Sequence, residues 1–544
     1  MVGPVRRLAP HEFREAILPS LLRALREDDA DIVDSAVLAI ARSLPAREAP
    51  LVLDALTTTL AHRQRSAREA ATLAIGVLGS EEGAPVLREL VLDSAEGRRL
   101  LGGAEAVPGV IEAYAALALA MIGAEPDVEV LLELLGRGLL DGGRAVRGLP
   151  RPDRASEIEV FIAAVLGLGM FRGAPANPLP RLLELFERID LEPAVRCQVP
   201  LAAARLATVP HREAVAERLI RALSSGRTDN HTRRSCAMAL GRLGTPRDTA
   251  IWRRLLATLE RESDKPTRHF ALLALGEVAG RAAPGALSPA TASLEEPALA
   301  TPSFGAADDA SNRKTLLAVL LREMTDPRNA SHRPWAALAL GLGASGRFDS
   351  EAQVVREKLE EMLTTRSDPS EQGAAAISLG LLQDRRSGEA LLACLQRSRN
   401  DTLRGHVAIA LGLAGCQEAI PSLLALLREG QVAAPLHLEI ARALALLGDT
   451  QCVDLLLAML QRSRNLTEAA SLTQALGWLG DSRAALPLLR LLEDDHYPGM
   501  LRGFAAVGLG LLGQRRAASW NVSLRCNCNY EALPAPLAEL LVIL

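Results

Sequence analysis

A short motif recurs along this chain and constrains the fold more than any other feature. It reads ATLAIGVLG up to Gly79, CAMALGRLG up to Gly244, TQALGWLG up to Gly480 and FAAVGLGLLG up to Gly513. Aligned copies put a small residue before each final x-Leu-Gly-like ending, at Ala41, Gly76, Ala120, Gly167, Ala204, Gly241, Gly276, Gly341, Gly380, Gly412, Ala445, Gly477 and Gly510. The last five steps between these landmarks are 39, 32, 33, 32 and 33 residues. A period in the thirties marks a stacked helical-repeat array, which grows by adding units instead of starting new cores.

Counting from each landmark, positions −5, −2, −1 and +2 are apolar or small. Examples are Cys236, Ala239, Leu240 and Leu243, then Ile440, Ala443, Leu444 and Leu447, then Leu472, Ala475, Leu476 and Leu479. The set i, i+3, i+4, i+7 is one stripe of an amphipathic helix. A second Leu-rich stretch precedes each motif, as in EAIPSLLALLREG, CVDLLLAMLQ and AALPLLRLLED, so each unit is a pair of antiparallel helices. Gly448, Gly480 and Gly513 are expected to end their helices as left-handed caps. Asp449 and Asp481 are expected to cap the next helix, and Pro421 and Pro487 to occupy first turns. Hydrophobic residues make up 49% of the chain but aromatics only 3%, which suits thin helix layers built from Ala and Leu.

Position −8 is arginine in seven copies: Arg68, Arg196, Arg233, Arg268, Arg333, Arg404 and Arg502. Asp229, Asp264 and Asp401 lie three or four residues before three of them. Together with the period and the apolar stripe, this pattern resembles HEAT repeats, in particular the short bacterial HEAT-like type also found in phycobilin lyases. The likeness spans residues 15 to 515. It implies an all-α, right-handed α-solenoid of about 13 HEAT-like helical pairs. It also implies that these arginines form a structural ladder between neighbouring units.

Three interruptions give the chain its individuality. Residues 93–109 and 136–156 stretch two consecutive units to 44 and 47 residues, both between the helices of a pair, so both loops are expected on one rim. Residues 280–313 are rich in Ala, Pro, Ser and Gly and read as a flexible linker or insertion. The expected organisation is an N-terminal repeat block at 1–279, that linker at 280–313, a C-terminal block at 314–515 and a capping tail at 516–544. The tail ends in the apolar run LAELLVIL.

Chemistry is sparse. His11-Glu12 is the single His-Glu pair and lies outside the repeats, whereas the di-iron HEAT-type hydroxylases use such pairs in series. Cys526-Asn-Cys528 has no second pair at metal-binding spacing. No Gly-x-Ser-x-Gly elbow, phosphate loop or dinucleotide fingerprint is present. No catalytic, metal or cofactor site is therefore expected. The net charge of −4 gives no global attraction to nucleic acid or anionic membrane. Three lysines leave arginine to supply the rest of the 61 basic side chains, which reads as base-composition bias.

One segment runs against that balance. Residues 205–268 hold 14 basic side chains against seven acids. Arg234, Arg253 and Arg254, with Trp252 for stacking, are the candidate partner-binding surface there. The expected function is a non-enzymatic scaffold or adaptor that binds an unidentified protein along an extended solenoid surface. Nucleic-acid binding through the Arg-rich segment is the first alternative, and a phycobilin-lyase-like enzyme the second. No window of 18 residues escapes charged and helix-breaking residues, so no membrane insertion is expected. The start MVGPVRRLAPHEF has no apolar run of signal-peptide length. A cytoplasmic location follows as the expectation, with export only if the N-terminus is incomplete.

Overall fold

The computed structural model describes residues 6–136, 154–171, 177–188, 191–281, 306–428, 433–449, 451–463 and 465–514. Among them every regular element is helical. Each landmark residue falls on the second helix of a pair. These helices are labelled α1 (Ala30–Ser43), α2 (Arg65–Leu78), α3 (Gly109–Ile122), α4 (Arg154–Leu168), α5 (Val199–Leu206), α6 (Asn230–Leu243) and α7 (Lys265–Gly280). They continue as α8 (Arg333–Gly343), α9 (Pro369–Leu381), α10 (Asp401–Leu413), α11 (Ala434–Leu446), α12 (Leu466–Leu479) and α13 (Gly499–Gly513). The first helices of the later pairs include Ser350–Thr365, Gly388–Arg397, Ile420–Arg428 and Cys452–Arg462. The fold is an α-solenoid of helical pairs.

The landmark explains how the pairs stack. Successive second helices pack directly, as in α7 on α8, α8 on α9 and α10 on α11. A Cβ added at Gly341 would lie 2.8 Å from the Cα of Ser378, and one at Gly380 would lie 2.7 Å from the Cα of Ala410. Glycine at the landmark thus lets two backbones approach more closely than any side chain allows. In both cases the partner is the small residue two positions before the next landmark. Leucines and alanines at −5, −2, −1 and +2 form the buried layer: Ile440, Ala443, Leu444, Leu472, Ala475 and Leu476 are fully covered.

Helix ends follow local chemistry, with two exceptions, at Gly513 and Asp449. Gly448 and Gly480 adopt φ of 74° and 67°, the left-handed cap. Gly513 does not. It stays helical, and the chain leaves through Gln514 at φ −68°. Its lack of a side chain serves packing instead, since an added Cβ would meet the Ser43 hydroxyl and Cβ. Asp449 does not cap the next helix as expected: the N-cap of Cys452–Arg462 is Gln451, whose N–H Asp449 accepts at 3.2 Å in the turn before it. Loop 93–109 is built, not loose. It contains the helix Ala95–Leu100, and Asp93 receives both arms of the Arg98 guanidinium at 2.7 and 2.8 Å plus the Val107 N–H at 2.9 Å. Most of the second loop, 137–153, lies outside the described residues, as does the tail from 515 onward.

The described residues form two compact units. One comprises 208–225 and 236–481; the other comprises 7–207, 226–235 and 482–514. Residues 282–305 lie outside the described set, but the helices on either side, α7 and Ala306–Thr325, pack on each other, and α7 packs on α8 as well. Arg313 Nε donates to the Ala279 carbonyl at 2.7 Å and Asn312 to the Pro246 carbonyl at 2.9 Å, tying the two sides together. In the other unit the last pair packs on the first, α13 lying against α1. Five cysteines, Cys197, Cys236, Cys394, Cys416 and Cys452, are buried in different pairs and are not joined as disulfides. No described helix is long and apolar enough to cross a membrane.

Candidate interaction face

In the 236–481 unit the second helices bury one stripe and leave another uncovered. The uncovered stripe uses positions −6, −3 and +1, on the side away from the buried set. At −3 stand Leu273, Leu338, Ile377 and Ile409, all half-buried. At +1 stand Leu342, Leu381 and Leu413, half-buried, followed by Leu446 and Trp478, each 53% exposed. Five consecutive repeats, α8 to α12, thus offer an apolar side chain at the same place. Arg442 lies over the Trp478 ring at 5.2 Å and supplies a cation–π contact that orients the indole. In the other unit the same positions on α3, occupied by Tyr114, Leu117 and Met121, are buried. The stripe is therefore covered at α3, whereas on α11 and α12 it reaches solvent at Leu446 and Trp478.

A polar cluster lies where α7 and α8 begin. His269 stacks on Trp335 at 5.0 Å with an interplanar angle of 11°, and meets His332 edge-on at 5.8 Å. His332 Nδ1 and Glu323 Oε2 are 3.1 Å apart, and Asn329 donates to the same oxygen at 3.2 Å. The hydrogen bond with His332 holds the Glu323 carboxyl below its ordinary range. Burial, reinforced by His332 and Arg268, pushes His269 down to about 4. In the other unit, burial raises Glu112 of α3 to about 8, with Asp93 and Glu157 adding repulsion.

These two groups act in opposite senses on stability. A histidine depressed from about 6.5 loses stability as pH falls from 6.5 towards 4, because the unfolded chain takes the proton first. A carboxyl raised from about 4.5 is most favourable below that value, and its contribution is lost as pH rises towards 8. Each slope is at most about 1.4 kcal/mol per pH unit. Local amide-exchange stabilities measured from pH 8 to 5 are therefore expected to fall around α7 and rise around α3. His269→Gln should flatten the first trend and Glu112→Gln the second. Parallel trends in both regions would contradict the assignment.

The candidate residues of the arginine-rich segment have different surroundings. Trp252 is buried, and its indole N–H donates to the Pro246 carbonyl at 3.2 Å, so it offers no face for stacking. Arg253 is exposed and lies over that ring at 5.6 Å. Arg254 is half-buried and donates to the Leu223 carbonyl at 3.0 Å; burial lowers its affinity for the proton. Arg234 is half-buried and falls in the other compact unit.

The repeated arginines are wired in two ways. Arg68 donates to the His62 carbonyl at 2.9 Å, Arg196 to Phe186 at 3.1 Å, Arg404 to Ser398 at 2.7 Å and Arg502 to Leu492 at 2.8 Å. Each of these carbonyls lies at or just past the end of the first helix of the same pair, where a cation satisfies unpaired acceptors. Arg333 instead reaches Glu371 of α9 at 3.2 Å, and Arg502 also reaches Glu27 at 2.8 Å. Arg233 meets Asn230 at 2.5 Å, and Arg268 sits half-buried beside His269. Links between pairs also run through other residues, such as Arg88–Asp127 at 2.6 Å, Arg212–Asp248 at 2.5 Å and Arg356–Asp384 at 3.5 Å.

Among the described residues no group of three or more His, Cys, Asp or Glu is placed to hold a metal ion. Burial pushes the Cys197 thiol up to about 12, far from a reactive thiolate. Cys526 and Cys528 lie outside the described residues. The +1 stripe was legible in principle, since Leu342, Leu381, Leu413, Leu446 and Trp478 recur at repeat spacing. The amphipathic pattern assigns that side of the helix to polar residues, and so hides it.

No curated protein matches the chain. Among solved structures it is similar to Kap121p bound to Nup53p, at 15% identity and a TM-score of 0.39, over 90% of this chain and 52% of that one. It is also similar to importin beta in an ammonium sulfate condition, at 14% identity and a TM-score of 0.36, over 91% of this chain and 67% of that one. The chain spans about half the length of the Kap121p chains it matches. Family models match residues 356–436 as HEAT repeats and 437–462 as a PBS lyase HEAT-like repeat. From the helix ending at Thr365 through the one ending at Arg462, the chain carries repeats of the HEAT and PBS-lyase HEAT-like kind.

Proposed function

We propose that this chain is a non-enzymatic scaffold that binds a protein partner along the open face of α8 to α12. The observation that carries the reading is the apolar +1 stripe ending in Leu446 and Trp478, each 53% exposed. A row of half-buried aliphatic side chains that ends in an exposed leucine and a Trp–Arg pair has the composition of an interface core. A stack of rigid repeats holds that row in fixed register, so a partner segment is read over several units at once. A cytoplasmic setting belongs to the same reading, supported by five buried thiols that are not joined as disulfides.

The test compares the parent protein with Leu446→Asp/Trp478→Asp in affinity purification from nuclease-treated lysate. Both side chains face solvent, so unfolding stability should stay within about 1 kcal/mol. A partner recovered stoichiometrically with the parent is expected to disappear from the variant, a loss of at least about 2 kcal/mol if Trp478 is a central contact. Retention of the same protein at the same yield would refute the face. Recovery of nucleic acid from untreated lysate, lost at moderate salt, would favour the nucleic-acid reading.

A further inference from the structure

The last helical pair does not simply stop; it packs on the first. The added-Cβ position of Gly510 lies 2.7 Å from the Cα of Ala39, which is two residues before the landmark Ala41. That is the seat Gly341 takes over Ser378 and Gly380 takes over Ala410. The first pair therefore occupies the place of the next repeat after α13. Gly499, Gly503 and Gly513 continue the approach, facing Asp29, Asp31 with Ser35, and Ser43 respectively. The Ser43 hydroxyl donates to the Gly510 carbonyl at 3.1 Å. Between the first helices, the Ser20 hydroxyl and the Arg23 guanidinium both donate to Glu493, at 2.6 and 2.5 Å. Arg502 adds its bond to Glu27 at 2.8 Å.

This interface differs from the joints between the repeats of α9 to α11. Those neighbours are joined by short connections, so separating them strains a covalent link. Here the partners lie more than 450 residues apart in sequence, and parting them breaks no helix and strains no short loop. Its close contacts include Ala39 and Phe13 beside serine, aspartate and paired charges, with Arg23 70% and Glu493 42% exposed. The charged part of such an interface is weakened by salt and by charge changes.

We propose that the α13–α1 interface is a releasable clasp, held by glycine-mediated backbone contact and by the Arg23–Glu493 and Arg502–Glu27 pairs. Its opening is a conformational step that leaves each repeat folded. When it opens, it uncovers the α1 and α13 faces together.

Cysteines introduced as Asp28→Cys and His496→Cys report on the clasp, because both positions are exposed and adjoin the Asp29–Gly499 contact. Cys526 and Cys528 are replaced by serine in all forms. A short bis-maleimide is expected to bridge the two introduced thiols within one full-length chain at low salt. Gly510→Leu should cut that yield at least about fivefold, the lower end of an overpacking cost, with helix content by circular dichroism unchanged. Glu493→Arg should cut it about twofold or more, and Arg23→Glu added to it should restore the yield. Absence of the bridge in the parent overturns the proposal. So does a yield indifferent to Glu493→Arg, the arm that decides the matter if Gly510→Leu loses helix content.

Discussion

Gly276→Val is expected to destabilise the 236–481 unit by about 3 kcal/mol or more, among the largest effects of any single substitution in the chain. A Cβ there meets the Ala339 carbonyl oxygen, with its Cα at 2.7 Å and its carbonyl carbon at 2.8 Å. All three are backbone atoms of α8, so no side-chain rotation relieves the clash. The helices must separate, and the buried layer between α7 and α8 loosens with them. Gly448→Ala is the control. It has φ of 74° but nothing within 4 Å of an added Cβ, so it bears only the left-handed penalty of about 1 kcal/mol. Urea unfolding of both variants checks the difference. A Gly276→Val midpoint close to that of Gly448→Ala would show that the second helices do not stack through the landmark.

The second large effect is expected from Arg88→Ala. Asp127 is fully buried, and its Oδ1 accepts from Arg88 Nε at 2.6 Å. Burial raises its carboxyl above the ordinary range even with the guanidinium beside it. Removing Arg88 strands a charge in the joint between two pairs, at a cost of about 3–5 kcal/mol. Asp127→Asn in the Arg88→Ala background should recover most of that loss. The pH dependence has a defined sign. A carboxyl raised in the folded state contributes stability below its unfolded value, and that contribution is lost as pH rises. The Arg88→Ala deficit should therefore be larger at pH 8 than at pH 5. A loss below about 1 kcal/mol, the same at both pH values, would mean that water replaces the arginine freely.

The second helices were legible because their signal is redundant. Ala239, Leu240 and Leu243, or Leu472, Leu476 and Leu479, repeat one stripe at one spacing, and a 3.6-residue period admits one reading. What the arginines touch was less legible. Spacing puts Arg68 and Arg404 on a known side of the helix, but the acceptor depends on where the preceding helix ends. Both found carbonyls of their own pair instead of acids in the next. Trp252 looked like a surface residue because Arg253 and Arg254 follow it. It is instead a core residue whose one polar atom reaches the Pro246 carbonyl. Gly513 looked like a cap because Gly448 and Gly480 are caps, but at that position the neighbouring Ser43 decides its use. The packing of α13 on α1 had no sequence signal. A period states which copy follows which along the chain, and says nothing about what the last copy meets.

The five buried thiols give the array a built-in clock. Cys197, Cys236, Cys394, Cys416 and Cys452 belong to different helical pairs, and each is shielded from solvent. Burial also raises the Cys197, Cys394 and Cys416 thiols, so each of these reacts only when its own repeat opens far enough to admit reagent and let the thiolate form. With Cys526 and Cys528 replaced, the order in which an alkylating reagent marks the five would record the order in which the repeats breathe, with no label introduced at all.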